Sequence, residues 1–228
     1  MTAIALIDYG MSNLGSVAKA LEHAGGRVRI CQSPGEIRGA DRLVFPGQGA
    51  IGDCMRRLRS LGLDEALREA MGTKPFLGIC LGLQSLLTDS EEGGGTAGLG
   101  LIRGKVARFV EGPLDPRTQC RFKIPHMGWS QVKQQKLHPL WNGIEQDARF
   151  YFVHSYYVEP EDRSLVAATT DYILEFACAL AHDNLFAVQF HPEKSQRPGL
   201  RLLANFIAWD GEDGLPRSAI DIPPRNAQ

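Results

Sequence analysis

The chain of 228 residues has a formal charge of −1, with 43% apolar and 22% charged side chains, which suits one large domain with a substantial core. A charge so near neutral supplies no basic stripe for nucleic acid. Asp8 interrupts the apolar start and no apolar run approaches the ~20 residues of a membrane-spanning helix, so the expectation is a soluble, cytoplasmic protein.

Along the first half, strand and helix patterns alternate. AIALIDYG, from Ala3, is a short apolar run ending in Asp8-Tyr9-Gly10, after which Leu14, Val17, Ala18 and Leu21 fall on one helical face. RVRICQS and RLVFPG read as strands, and MRRLRSLGLDEALREAMG, from Met55, as helix. PFLGI reads as a fully buried strand and LGLQSLLTDS, from Leu81, as the helix after it. Glu91 to Gly98 is expected as a flexible loop, because no Gly-Lys-Ser/Thr follows to make it a phosphate cradle. The alternation predicts an α/β fold with an open, mostly parallel central sheet and helices on both faces.

From Leu101 to Phe190 the pattern changes to short strand-like runs divided by Gly, Pro, Asn and Asp, and AHDNLF reads as a hairpin turn between antiparallel strands. A helix returns at Leu203, Phe206 and Ile207. The expected organisation is a single domain over residues 1–210 and a mobile tail over 211–228, rich in Pro, Gly and charge. Cys31, Cys54, Cys80, Cys120 and Cys178 are odd in number and contain no CxxC, which fits neither a disulfide framework nor a zinc site. No metal and no cofactor are expected.

Gly78-Ile79-Cys80-Leu81-Gly82 has the form G-x-C-x-G, the thiol counterpart of the nucleophile elbow, where a sharp strand-to-helix turn holds the nucleophile out of the sheet. Unpaired N–H groups at a helix start would favour the reactive thiolate. Taken alone, the pentapeptide fits a buried thiol in a glycine-tolerant turn equally well. A nucleophile needs a base and the base an orienting group. FAVQFHPEKS supplies both, with His191 at a strand end and Glu193 two positions on, on the same side of an extended chain. Pro46-Gly47-Gln48-Gly49 follows another predicted strand, where the N–H groups of Gly47, Gln48 and Gly49 could meet a developing oxyanion together with that of Leu81. The flexible glycines suggest that this segment rests with its N–H turned away and reorients on activation.

GICLGLQ, PGQG and QFHPEKS, in this order, resemble the class I, triad-type glutamine amidotransferases over nearly the whole chain. DYGMSNLGSV, PGQGA, IPHMGW and YFVHSYY resemble, within that superfamily, the glutamine amidotransferase subunits of imidazole glycerol phosphate synthase, and Tyr9, Gly10, Asn13 and Ser16 match their N-terminal pattern.

The resemblance implies hydrolysis of glutamine through a γ-glutamyl thioester on Cys80, with His191 protonating the departing ammonia. It implies that Gln84 holds the amino-acid end of the substrate, assisted by His154, Ser155 and Tyr156. It implies a heterodimer in histidine biosynthesis, in which ammonia passes to a separate (β/α)₈-barrel cyclase, and His126, Met127, Gly128 and Trp129 match the segment near that interface. PHMGW also fits a buried hairpin. Ser130 stands where an asparagine is frequent in the family, and residues 211–228 match nothing in it. Those departures leave open a paralogue serving another acceptor, such as an enzyme aminating a modified sugar. A hydrolase of γ-glutamyl or peptide bonds and a catalytically dead binding subunit are the readings from other classes.

Overall fold

The computed structural model describes residues 2–11, 14–110, 112, 114, 119 and 121–212. Its first half runs β1 (Ala3–Ile7), α1 (Leu14–His23), β2 (Arg27–Cys31), α2 (Pro34–Arg38), β3 (Arg42–Gly47), α3 (Ile51–Leu61), α4 (Leu63–Met71), β4 (Phe76–Cys80) and α5 (Leu81–Gln84). There follow β5 (Leu87–Ser90), β6 (Thr96–Ala97), β7 (Ile102–Arg108), β8 (His126–Gln131), β9 (Lys133–Gln134), β10 (Arg149–His154), β11 (Tyr156–Pro160), β12 (Val166–Asp171), β13 (Glu175–His182), β14 (Leu185–Val188) and α6 (Gln196–Ala208).

Twelve strands form one sheet in the order β2-β1-β3-β4-β14-β13-β11-β7-β5-β6, with β12 and β9 joined through β13, while β8 and β10 make a separate ribbon. The stretch β2-β1-β3-β4-β14 is parallel throughout, the flavodoxin-like order, and β13 and β11 extend it antiparallel. The predicted hairpin is present: β13 and β14 pair directly across Asp183-Asn184, with His182 opposite Leu185 and Asp183 at φ 48°.

Alternation along each strand gives the sheet two apolar faces. Ile4, Leu6, Val44, Leu77, Ile79, Phe186 and Val188 meet Val17 and Leu21 of α1 and Leu202 and Phe206 of α6. Ile7, Leu43, Phe45, Phe76 and Leu185 meet Met55 and Leu58 of α3 and Leu67 and Met71 of α4 on the other face. Each such side chain contributes about 1.5–3 kcal/mol by burial, which holds the sheet rigid beneath the loops at its C-terminal edge.

Several elements differ from the sequence expectation. The stretch read as one helix from Met55 is two, because Gly62 turns left-handed at φ 64° and its N–H donates back to Arg59 and Leu58. The helix read over LGLQSLLTDS stops at Gln84, and Leu87–Ser90 is a strand. The carbonyls of Ser85, Leu86 and Leu87 accept from Leu99, Leu101 and Gly100, so the chain pairs sideways instead of winding on. The stretch Glu91 to Gly98, read as a flexible loop, contains a 3₁₀ turn at Glu92–Gly94 and β6, which pairs with β5. The Glu92 carboxylate accepts from the N–H of Ile51 at 2.8 Å and ties this turn to the start of α3. Helix α2 gave no hydrophobic pattern long enough to read. Asn13, Cys120 and residues 213–228 of the expected tail lie outside the described residues. No described helix is long and apolar enough to cross a membrane.

Candidate active site

Cys80 ends β4 and opens α5 with φ 54° and ψ −106°, a backbone conformation that L residues rarely adopt. The turn is tight because β4, α5 and β3 touch: a Cβ on Gly82 would lie 1.9 Å from the carbonyl oxygen of Phe45, and one on Gly78 would lie 3.2 Å from the backbone of Gly82. Glycine at both positions lets the elbow close, and the thiol is held with 8% exposure at the sheet's C-terminal edge. Helix α5 is a single turn, so the dipole anticipated from sequence reduces to the few N–H groups of that turn.

His191 caps the 3₁₀ turn Pro192–Lys194, and its Nδ1 lies 2.8 Å from Glu193 Oε1. Extended-chain alternation predicts that these two side chains meet. The contact exists, but it is the 3₁₀ turn that folds the carboxylate under the ring. Burial by itself would push the imidazole down. The negative charge of the Cys80 thiolate, a hydrogen bond to it, and Glu193 outweigh burial and raise His191 to about 10. The imidazole is therefore held in its protonated form between the sulfur and the carboxylate.

Gly47 lies in register with Cys80 across the β3–β4 pair, and Gly49 turns at φ 87°. A Cβ on Gly47 would meet Leu81 Cβ at 2.6 Å, so the segment containing Gly47, Gln48 and Gly49 runs directly over the elbow and Leu81. Buried Tyr9 places its hydroxyl 3.5 Å from the carbonyl of Gln48. A cavity of about 20 Å³ lined by Ser16, Gln48, His191, Glu193 and Lys194 adjoins the triad. It has room for one water molecule, next to the buried Glu193 Oε2, which has no hydrogen-bond partner among the described residues.

Of the residues expected to hold substrate, Gln84 is buried on α5, its Nε2 donating to the Tyr156 carbonyl at 3.1 Å and to Gln189 Oε1 at 3.0 Å. His154 ends β10, half-buried Ser155 forms the bend and Tyr156 begins β11. His154 Nδ1 donates to the same Tyr156 carbonyl at 2.7 Å. That fixes its tautomer: Nε2 must accept, from His126 Nδ1 at 3.0 Å, and His126 Nε2 then accepts from Ser130 Oγ at 2.8 Å. Burial lowers His126 to about 4 and His154 to about 3, in keeping with two neutral rings.

The segment expected at a partner interface divides by strand alternation. Met127 and Trp129 stand out at 62% and 40% exposure, whereas His126 is buried beneath Tyr172, with ring centroids 4.0 Å apart. The His126 side chain faces the interior, because alternation along β8 presents the odd-numbered residues to solvent. Gly128 lies between them, opposite Phe152.

Gln189, which the sequence pattern did not single out, is fully buried just past the end of β14 and donates through Nε2 to Cys80 Sγ at 3.6 Å. The available signal was its position two residues before His191, on the same side of an extended chain.

The family model for class I glutamine amidotransferases matches residues 5–209. The imidazole glycerol phosphate synthase subunit HisH of Nitrosococcus oceani is 57% identical over 92% of this chain and 99% of its own. That of Acinetobacter baylyi is 54% identical over 92% and 100%. Among solved structures, PurLQS from Thermotoga maritima aligns with a TM-score of 0.68 at 16% identity, covering 91% of this chain and 99% of that one, which bears on the fold alone. The chain belongs to the class I glutamine amidotransferases and, within them, to the HisH subunits of imidazole glycerol phosphate synthase.

Proposed function

We propose that the chain is the glutaminase subunit of imidazole glycerol phosphate synthase and that residues 1–210 form its amidotransferase domain, acting in the cytoplasm. Cys80 Sγ attacks the side-chain amide carbon of glutamine, and the oxyanion is met by N–H groups of Gly47, Gln48, Gly49 and Leu81. The C–N bond breaks as His191 gives its proton to the departing ammonia. Water then surrenders a proton to His191 and attacks the thioester, and the C–S bond breaks to release glutamate and restore the thiolate. Glu193 holds the imidazolium in place. Gln84, with His154, Ser155 and Tyr156, holds the amino-acid end of the substrate. Ammonia passes to a (β/α)₈-barrel cyclase docked on the exposed side of the β8–β10 ribbon, at Met127 and Trp129.

The observation that carries this reading is the 2.8 Å pairing of His191 with Glu193 beside a cysteine held at φ 54°. The test is glutamate release from glutamine by the purified chain, alone and then with the cyclase and its nucleotide ligand, against Cys80→Ala. Strong stimulation that the variant lacks supports the assignment. An unstimulated chain whose Cys80 still reacts with a glutamine-like electrophile keeps the triad and removes the cyclase as acceptor.

A further inference from the structure

Gln189 and Gln84 form a chain of two buried side-chain amides between a backbone carbonyl and the nucleophile. Its polarity is fixed at one end. The Tyr156 carbonyl can only accept, so Gln84 must turn its Nε2 toward it, at 3.1 Å. The second hydrogen of that Nε2 faces Gln189, 3.0 Å away. Only Oε1 of Gln189 can receive it, which leaves Gln189 Nε2 toward Cys80 Sγ at 3.6 Å, within reach of an N–H···S bond. Rotating the Gln189 amide by half a turn would set two NH₂ groups against each other and aim a carbonyl oxygen at a thiolate, in a place without solvent.

We propose that Gln189 is a positioning residue for Cys80, its N–H held toward the sulfur by Gln84 and the Tyr156 carbonyl. His191 supplies the opposite charge to the thiolate. Gln189 supplies a directed neutral donor, which fixes where the sulfur sits and favours its ionised form. The same donor acts twice in the cycle: on the thiolate before it attacks, and on the sulfur as the C–S bond of the thioester breaks and negative charge returns to it. This assignment rests on the glutaminase reading for those two steps, but the chemistry of the sulfur can be tested without glutamine.

The test is the pH dependence of alkylation by iodoacetamide at Cys80, followed on the Cys80 peptide by mass spectrometry. Gln189→Met preserves the volume and removes the donor. Gln189→Glu preserves the shape and presents an anion. The acidic limb of the profile is expected to move up by about one pH unit in the first and further in the second. In glutamine hydrolysis, kcat should fall about tenfold with KM changed less than twofold, since the amide touches sulfur and not substrate. Folded variants whose acidic limb overlays that of the parent would overturn the proposal, leaving Gln189 as a packed amide. Should both variants fail to fold, Gln84→Met retains Gln189 but frees its amide to turn, and an unmoved limb there also overturns the directed donor. A limb that shifts in the variants while the parent hydrolyses no glutamine would sink the glutaminase reading and leave this one standing.

Discussion

His126 Nδ1 and His154 Nε2 lie 3.0 Å apart in the interior, so only one of the two facing nitrogens can carry a proton. Burial first, and for His154 also the charges of His126 and His191, lowers both, to about 4 for His126 and about 3 for His154. Their ordinary value near 6.5 is that of the unfolded chain. As pH falls below about 6.5 the unfolded state takes up two protons that the folded pair refuses, so stability is lost from there down toward pH 4. His191 runs the other way: raised to about 10, it stabilises fully below 6.5 and loses that contribution as pH rises through 10. Each refusing ring is expected to cost about 2 kcal/mol between pH 7.5 and 5.0. Urea unfolding at both values should show His126→Phe losing less stability over the interval than the parent. Parallel losses would mean that the pair is not neutral in the fold.

Cys80 holds φ 54°, and the strain belongs to the backbone whatever the side chain. Cys80→Ala keeps that strain and removes the nucleophile, while Cys80→Gly removes both. Neither should release glutamate. At an ordinary position glycine is less stable than alanine by roughly 0.5–1 kcal/mol. Here the order should reverse, with Cys80→Gly more stable by about 1 kcal/mol, read from urea midpoints at equal slope. The usual order would show that the elbow is not strained.

The parts of the molecule that were legible in the sequence are those written contiguously. The alternation of apolar runs with helical spacings gave the parallel sheet, and GICLG and QFHPE each present a chemical group with its local geometry. Gln84 and Gln189 meet across 105 positions and His126 and His154 across 28, and no local pattern announces such a pairing. The end of α5 was illegible for a similar reason, since what stops it is the bonding of Ser85 to Leu87 with residues 99–101. Residues Glu91 to Gly98 misled because three glycines in a row signal freedom, whereas pairing with β5 and the Glu92 carboxylate hold them.

Gly82 and Gly72 separate a glycine required by contact from one that is merely tolerated. The Cβ of Gly82→Ala would fall 1.9 Å from the carbonyl oxygen of Phe45, a backbone atom that can yield only if β3 and the elbow part. The expected loss is about 3 kcal/mol or more, or no folded protein. Gly72 ends α4 at φ −78° with nothing within 4 Å of a Cβ, and Gly72→Ala should gain about 0.5 kcal/mol by restricting the unfolded chain. Thermal unfolding of the two variants side by side decides it, and equal tolerance would contradict the close approach.

Trp129 stands on the outer side of β8, directly opposite Tyr151 on β10, with ring centroids 6.0 Å apart and edge to face. The carbonyl of Tyr151 accepts from the N–H of His191 at 2.9 Å, and Ser195 Oγ links the Tyr151 N–H, at 2.9 Å, to the His191 carbonyl, at 2.6 Å. A partner docked on the ribbon as proposed would therefore press on the segment after β14 that carries the imidazole. Trp129→Ala should weaken association with the cyclase by about 2 kcal/mol, near thirtyfold in Kd. Because the ring also packs on Tyr151, stimulation of glutamate release should stay reduced when the cyclase is raised to saturation. Full recovery at saturation would make Trp129 a docking contact only, and unchanged affinity would remove it from the interface.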